Sequence, residues 1–156
     1  MAQEFYGSIR VKDDKKRISI NDDGDYIEIS PNDTAMFDRF FDLVQWFGEM
    51  EKDAEQKEKE LRKKYGTDEE NLDRAREEIT FLREGFKESA RRIDAIFGED
   101  TCAKAFCGME PNLYLISQFF EQLTPIIRAI SNDRSQEFAA KYGPARKGGK
   151  KAIKRK

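Results

Sequence analysis

Few residues of this 156-residue chain could carry out catalysis or bind a metal ion. The sequence contains no histidine and only two cysteines, Cys102 and Cys107. The absence of histidine excludes serine–histidine and cysteine–histidine catalysis, and it excludes zinc sites that use histidine. Two cysteines are too few for a four-cysteine zinc site, and at a spacing of five residues they point in different directions on a helix. We therefore interpret both as small buried residues in a reducing compartment.

The carboxylates are numerous, but their surroundings predict no chemistry. A catalytic carboxyl group needs an apolar pocket or a close like charge to shift its pKa. Most Asp and Glu side chains here lie one turn from Lys or Arg on predicted helices. The acidic cluster at residues 22–25 has the residue types of a calcium loop, but Asp33 stands where the bidentate glutamate is due. The P-loop and dinucleotide-binding glycine patterns are absent. We expect no enzyme, no metal site and no cofactor.

Charge is distributed unevenly along the chain. The whole sequence has a net charge of -2, whereas residues 1–140 carry 21 basic and 31 acidic side chains. The end of the chain is purely basic, which predicts binding to nucleic-acid phosphates, docking on an acidic protein surface, or a solvated tail. It lacks the interleaved aromatic residues of a single-strand-binding surface. The basic residues of this tail are Arg146, Lys147, Lys150, Lys151, Lys154, Arg155 and Lys156.

The sequence predicts a folded protein that neither crosses a membrane nor enters a secretory pathway. No apolar run approaches the roughly 20 residues that a membrane-spanning helix needs. The first residues lack the basic and apolar regions of a secretory signal. Twelve phenylalanines argue against complete disorder, since disordered segments are poor in aromatic residues. We expect a soluble intracellular protein.

Residues 1–30 predict a small antiparallel β element. Residues 5–11 contain the strand-forming residues Tyr6, Ile9 and Val11 together with Ser8. Apolar and polar residues alternate over residues 17–20 and 26–29, and an Asn/Asp/Gly-rich turn at residues 21–25 joins these two segments. A ribbon of two or three strands is not stable alone. We therefore expect its apolar face to pack on a helix or on another copy of the chain.

Residues 31–142 predict a helical domain. The first helix is expected to begin at Ser30–Pro31, with the serine as N-cap, and the second at a capping box of Thr67 and Glu70. The short connection predicts an antiparallel helical hairpin. Apolar residues are sparse over residues 50–71, so we expect this stretch to protrude as a charged, frayed hairpin held by ion pairs between residues four apart. The apolar seam predicted for the second helix is Leu72, Ala75, Ile79, Leu82, Phe86, Ser89, Ile93 and Ile96.

The last long helix is expected to begin at Pro111–Asn112 and to bend near Gln122, because Pro125 removes a backbone donor. Its apolar face is wider than a single stripe. Most of this face is expected to pack in the core, and the remainder is either further core or an exposed interface. Residues 143–156 predict a disordered basic tail. The predicted fold class is therefore mainly α, with an N-terminal antiparallel β element, a long antiparallel helical hairpin and a packed C-terminal helix.

Several short motifs in the second half of the chain occur together in a known group of proteins. They are Ile96–Thr101, Phe106–Gly108, Asn112–Leu113, Phe119–Phe120 and Lys141–Arg146. Through them, residues 93–156 resemble small proteins encoded among the tail genes of siphophages of Gram-positive bacteria. These proteins are usually interpreted as tail assembly chaperones. The β element at residues 18–30 is also similar to the way such proteins begin.

The resemblance implies a viral protein of the host cytoplasm without enzymatic activity. A tail assembly chaperone binds the long, aggregation-prone tape measure protein and keeps it soluble until tail tube subunits polymerise around it. An apolar groove would shield the partner, a charged exterior would keep the complex dispersed, and several copies could coat one partner. The residues expected to form the groove are Phe119, Phe120, Leu123, Ile127 and Ile130.

Two other functions remain open from the sequence. One is an inhibitor or trigger of a bacterial defence system, in which an acidic helical body occupies a basic nucleic-acid channel. The other is nucleic-acid binding through the basic tail at residues 145–156. Binding to a nuclease complex or to duplex nucleic acid, weakened steeply by salt, would distinguish these two functions from a chaperone.

Overall fold

The protein consists of a two-stranded ribbon followed by three long helices and one short one. The structure is a computed structural model that describes residues 4–68 and 70–143. Its elements are β1 (Lys16–Ser19), β2 (Tyr26–Ile29), α1 (Thr34–Tyr65), α2 (Leu72–Phe97), α3 (Thr101–Ala105) and α4 (Leu113–Tyr142). The predicted fold class is confirmed. Within the described ranges, no helix combines the length and the apolar character that crossing a membrane requires.

The β ribbon is closed by a turn that Asn21 organises. β1 and β2 are antiparallel, with Ile18 opposite Ile27. The Asn21 side-chain oxygen accepts hydrogen bonds from the backbone N–H groups of Asp23 and Asp25, at 2.9 and 3.2 Å. Its amide group donates to the Lys104 carbonyl oxygen at 3.1 Å, which fastens the turn to α3. The cluster at residues 22–25 is thus a polar turn.

Residues 5–11 form no strand in the described part of the chain, so the ribbon has two strands. The chain is tethered just before β1. The Asp13 carboxylate accepts hydrogen bonds from the Ser30 hydroxyl at 2.6 Å and from the Asn32 side-chain amide at 3.2 Å. These contacts hold the chain beside the end of β2, where Val11 and Lys12 line a surface cleft with Asn32 and Arg134.

Both predicted starts of the hairpin helices are corrected. α1 begins after Asp33, whose carboxylate accepts from the Met36 N–H at 2.9 Å, whereas the Ser30 hydroxyl donates to Asp13 and accepts from the N–H of Asn32, which precedes the helix, at 3.2 Å. α2 begins after Asn71, whose side-chain oxygen accepts from the N–H groups of the second and third residues that follow it. The capping box expected at Thr67 and Glu70 does not form, since both residues precede this cap.

α1 and α2 form the predicted antiparallel hairpin. Three contacts between the two helices mark the hairpin from its base to its tip. They are Phe40 with Phe97 (ring centroids 5.8 Å apart), Met50 Sδ with Ser89 Oγ (3.4 Å) and Lys64 Nζ with Glu77 (3.3 Å). The base therefore lies in the apolar part of the domain, and the tip carries charged contacts.

The hairpin tip contains a small buried cluster that the sequence did not predict. Leu61 is only 1% exposed although it lies far along α1 from the main core. The buried Arg74 guanidinium beside it donates to Glu58 Oε1 at 3.0 Å and to the Gly66 carbonyl oxygen at 3.4 Å. Among the ion pairs expected between residues four apart in α1, the described structure forms Glu58 with Arg62. The tip is therefore held by contacts between the two helices, more than by pairs within one.

Two members of the predicted α2 seam are exposed. Leu72 and Ile79 lie on the surface, whereas Ser89 and Ile93 farther along the helix are buried. The opposing stretch of α1 is rich in charge, so it offers little apolar surface for the first turns of α2. Arg74 is the buried residue of this end instead.

The main core is assembled from the ribbon and all four helices. Phe40 is fully buried at its centre, with its ring centroid 5.7 Å from Phe41, 5.8 Å from Phe97 and 6.0 Å from Phe120. These rings meet edge to face, the arrangement that aromatic quadrupoles favour. The other buried apolar residues of the core are Ile27, Ile29, Met36, Phe37, Leu43, Ala90, Ile93, Cys102, Phe106, Ile116, Leu123 and Ile127.

α4 closes this core and continues through Pro125 as one helix. The Pro125 side chain is exposed, so the proline ring and the lost hydrogen bond face solvent. The connection into α4 is fixed by Arg83, whose guanidinium donates to both carboxylate oxygens of Glu110, at 2.6 and 3.0 Å. This contact holds the pKa of Glu110 below its usual value.

Candidate interaction surfaces

The expected groove residues on α4 divide between the core and its margin. Phe120, Leu123 and Ile127 are buried in the domain core, so they are not accessible to a partner in this structure. Phe119 and Ile130 are half-buried beside them. The expectation of one exposed groove over all five positions is therefore corrected. The reason is that α4 closes the core, so core residues of the same chain cover most of its wide apolar face.

A shallow cavity of about 210 Å³ lies between the ribbon and α4. We call it the ribbon groove. Phe119 and Leu123 line it, so two of the five residues predicted for the partner groove border this cavity. Gln118 and Gln122 supply polar atoms to its wall. Its other principal apolar walls are Ile18, Ile20, Phe106, Leu115 and Ile126.

The last turns of α4 carry an exposed aromatic pair. Phe138 and Tyr142 are 63% and 65% exposed, and their ring centroids lie 5.1 Å apart. Steps of three and four residues from Ile127 lead through Ile130 and Arg134 to this pair, so it continues the buried face of α4 beyond the core. We call Ile130, Arg134, Phe138 and Tyr142 the α4 terminal face. Sequence reasoning missed the last two, although their four-residue spacing was the available signal.

The first described residues also expose large apolar side chains. We call residues 4–12 the N-terminal arm. Phe5, Ile9 and Val11 are 81%, 86% and 88% exposed, and Tyr6 is fully exposed. The arm is tethered at its end through Asp13, as described above. The predicted basic tail, Arg146 to Lys156, lies outside the described residues.

The helical exterior is densely charged but of mixed sign. α1 carries eight acidic and seven basic side chains, and α2 carries six of each. Several cations also cover aromatic rings, for example Arg92, whose guanidinium lies 4.0 Å from the Trp46 ring centroid. The hairpin therefore presents a polar surface without a strong field of one sign.

The family DUF6673, a family of unknown function, matches residues 23–156. The chain belongs to DUF6673. No curated protein and no solved structure matches it. The DUF6673 match includes β2 and every helix, whereas β1 and the N-terminal arm precede it.

The two cysteines of this DUF6673 member differ in environment, which corrects the expectation that both are buried. Cys102 is buried, with its sulfur 3.6 Å from the Ala90 carbonyl oxygen. Burial raises the pKa of the Cys102 thiol, and the Asp94 carboxylate raises it further. Cys107 is exposed at the end of the α3 segment, in a left-handed backbone conformation with φ of 52°. In the described ranges, no cluster of acidic and cysteine side chains could hold a metal ion.

We expect one of the two thiols of this DUF6673 member to react in the native protein. A thiol reagent should modify Cys107 rapidly, whereas Cys102 should react only after unfolding, because a buried, protonated thiol is a poor nucleophile. Mass spectrometry after timed maleimide treatment measures both sites, with and without denaturant. Cys107→Ser is the control and should leave the native protein unmodified. Rapid native modification of Cys102 would contradict the described burial.

Proposed function

We propose that this protein is a non-enzymatic assembly chaperone that keeps an aggregation-prone partner in solution. The resemblance of residues 93–156 to phage tail assembly chaperones identifies the proposed partner as the tape measure protein. The observation that carries the proposal is the α4 terminal face, where Phe138 and Tyr142 stand exposed together at the end of the core helix. The exposed pair thus lies about two and three turns beyond Ile130, the last of the residues expected from sequence.

The chemistry of this face suits an apolar helical segment of the partner. Aromatic side chains each bury roughly 150–250 Å² when they are covered. At about 25 cal/mol per Å² of apolar surface, covering both rings provides several kcal/mol toward binding. Residues four apart on one helix face contact a second helix through the same stripe, as in complexes of amphipathic helices. Arg134 lies in that stripe and adds a contact for an acidic group.

The rest of the surface fits a carrier that must not aggregate with its partner. Closely interspersed charges of both signs on α1 and α2 favour solubility. These two helices are balanced in charge, so they do not themselves supply the strongly acidic surface that the defence-inhibitor alternative needs. Nucleic-acid binding depends on a tail outside the described residues, so no described contact favours it.

The test is co-production of the chain with a siphophage tape measure protein. The double variant Phe138→Asp/Tyr142→Asp should return the soluble fraction of the partner to the level seen without the chaperone. The matched control is Leu113→Asp/Tyr114→Asp, which changes two exposed apolar residues at the opposite end of α4. The control should solubilise the partner like the parent chain.

Both variants must first show the parent's circular dichroism spectrum and melting temperature. If the folded Phe138→Asp/Tyr142→Asp variant still solubilises the tape measure protein, the proposed contact surface is wrong. If the parent chain itself fails to solubilise or co-purify with that protein, the proposed function is wrong.

A further inference from the structure

We propose that two copies of this chain exchange their N-terminal arms. In this arrangement, the arm of one copy lies along the free edge of β1 in the other copy and places Ile9 and Val11 in its ribbon groove. The inference goes beyond the chaperone proposal and does not depend on it, because it uses a different surface of the molecule.

The arm has the pattern of a strand that lacks a partner. Phe5, Ile9 and Val11 occupy odd positions, so in an extended strand their side chains lie on one face. All three are more than four-fifths exposed in the single chain. Polar and basic residues, including Arg10 and Lys12, occupy the opposite face. A segment of this type is stabilised when its apolar face is covered and its backbone groups are paired.

β1 offers the complementary edge. It pairs only with β2 in the described residues, so its second edge has backbone groups without strand partners. A strand added there would lie about 4.7–4.9 Å from β1 and would direct alternate side chains to the face of Ile18 and Ile20. Those two isoleucines are walls of the ribbon groove, where Phe119 and Ile126 supply the opposite, helical side. Strand addition would therefore also fill the groove.

The tether at Asp13 favours the edge of a second copy over the chain's own β1. Only two residues separate Asp13 from β1, and the Lys15 N–H donates to the Asp13 carbonyl oxygen at 3.0 Å. Val11 and Lys12 line a surface cleft with Asn32 and Arg134. This cleft and the ribbon groove have no lining residue in common. Folding back onto its own β1 would break the Asp13 contacts, whereas an exchanged arm keeps them.

Charge selects the direction of the exchanged arm. The arm begins with Glu4 and ends with Arg10 and Lys12, whereas β1 begins with Lys16–Arg17 and is followed by the acidic turn at residues 22–25. A parallel arrangement brings unlike charges together at both ends, and an antiparallel one places like charges together at the basic end. β1 has four residues, which span roughly 13 Å at about 3.3 Å per residue, so it can pair with the half of the arm that carries Ile9 and Val11.

The test is the oligomeric state of the full chain by sedimentation velocity over a range of concentrations. The parent should be a dimer, and Ile9→Asp/Val11→Asp should be monomeric with an unchanged melting temperature of the domain. Ile126→Asp, which changes the groove wall, should also be monomeric. Phe138→Asp/Tyr142→Asp is the control and should remain dimeric, which separates this test from that of the chaperone surface.

Mixing the two monomeric variants tests exchange directly. The Ile9→Asp/Val11→Asp chain has an intact groove, and the Ile126→Asp chain has an intact arm. Their mixture should form a heterodimer through one arm and one groove. Loss of the second contact should weaken it roughly 10²–10⁴-fold relative to the parent dimer. A monomeric parent, a dimer that survives Ile9→Asp/Val11→Asp, or a mixture without heterodimer would each overturn the proposal.

The direction of the arm has its own measurement. Arg10→Glu/Lys12→Glu should weaken the dimer at low salt, and Asp22→Lys/Asp23→Lys in the same chain should restore it. Failure of the second pair of substitutions to restore association would overturn the parallel arrangement.

Discussion

Replacement of Phe40 with alanine is expected to lower the free energy of unfolding by about 3–5 kcal/mol. The Phe40 side chain is fully buried, and its ring contacts those of Phe97 and Phe120 edge to face. Truncation would leave a cavity where α1, α2 and α4 meet. Because domains of this size have free energies of unfolding of only about 5–15 kcal/mol, the substitution would remove a large part of that stability. Urea unfolding followed by circular dichroism measures the change.

Phe138→Ala is the matched control for this prediction. It removes the same side chain from the exposed end of α4, where Tyr142 is its aromatic neighbour. We expect a change within about 0.5 kcal/mol, as for ordinary surface substitutions. Equal effects of the two substitutions would contradict the assignment of Phe40 to the centre of the core.

Leu61→Ala is expected to cost about 2–5 kcal/mol and to act mainly on the hairpin tip. Leu61 is buried, but it is separated from the main core and lies in the tip cluster with Arg74. A cavity there removes most of the apolar burial that closes the tip. Amide hydrogen exchange should therefore accelerate in the second half of α1 and the first turns of α2, whereas amides around Phe40 and Ile93 keep their protection.

The control for Leu61 is Leu72→Ala at the same tip. Leu72 is exposed, so its truncation should leave both stability and exchange close to the parent. If Leu61→Ala instead accelerated exchange uniformly through the core, the tip and the core would be one cooperative unit. That result would contradict the separate cluster.

Local sequence signals predicted the helices well where each end has one dominant residue. Asn112 is the observed N-cap of α4, as expected from its capping preference. The start of α1 was misplaced because Ser30 and Asp33 are both good N-caps within one turn. The Asp33 carboxylate accepts from the N–H of Met36 within the helix, whereas Ser30 accepts from Asn32, which precedes it.

The interaction surface was harder to predict for a related reason. Spacing of apolar residues reports that a helix face is covered, but it does not report what covers it. Phe120 and Ile127 have the pattern of a partner site, yet the ribbon and hairpin of the same chain cover them. Conversely, the strand-forming residue types at residues 5–11 predict a strand, although no strand of the described chain pairs with this segment.

The order of the elements along the chain has a consequence for biosynthesis. Ile27, Ile29 and Phe40 are made before α4, so the α4 side chains that cover them leave the ribosome only after α1 and α2 are complete. Until then, the aromatic half of α1 has α2 as its principal cover. We therefore expect nascent chains that stop before residue 113 to associate with holdase chaperones and to be degraded rapidly. Chains that also contain α4 should show neither the association nor the rapid degradation.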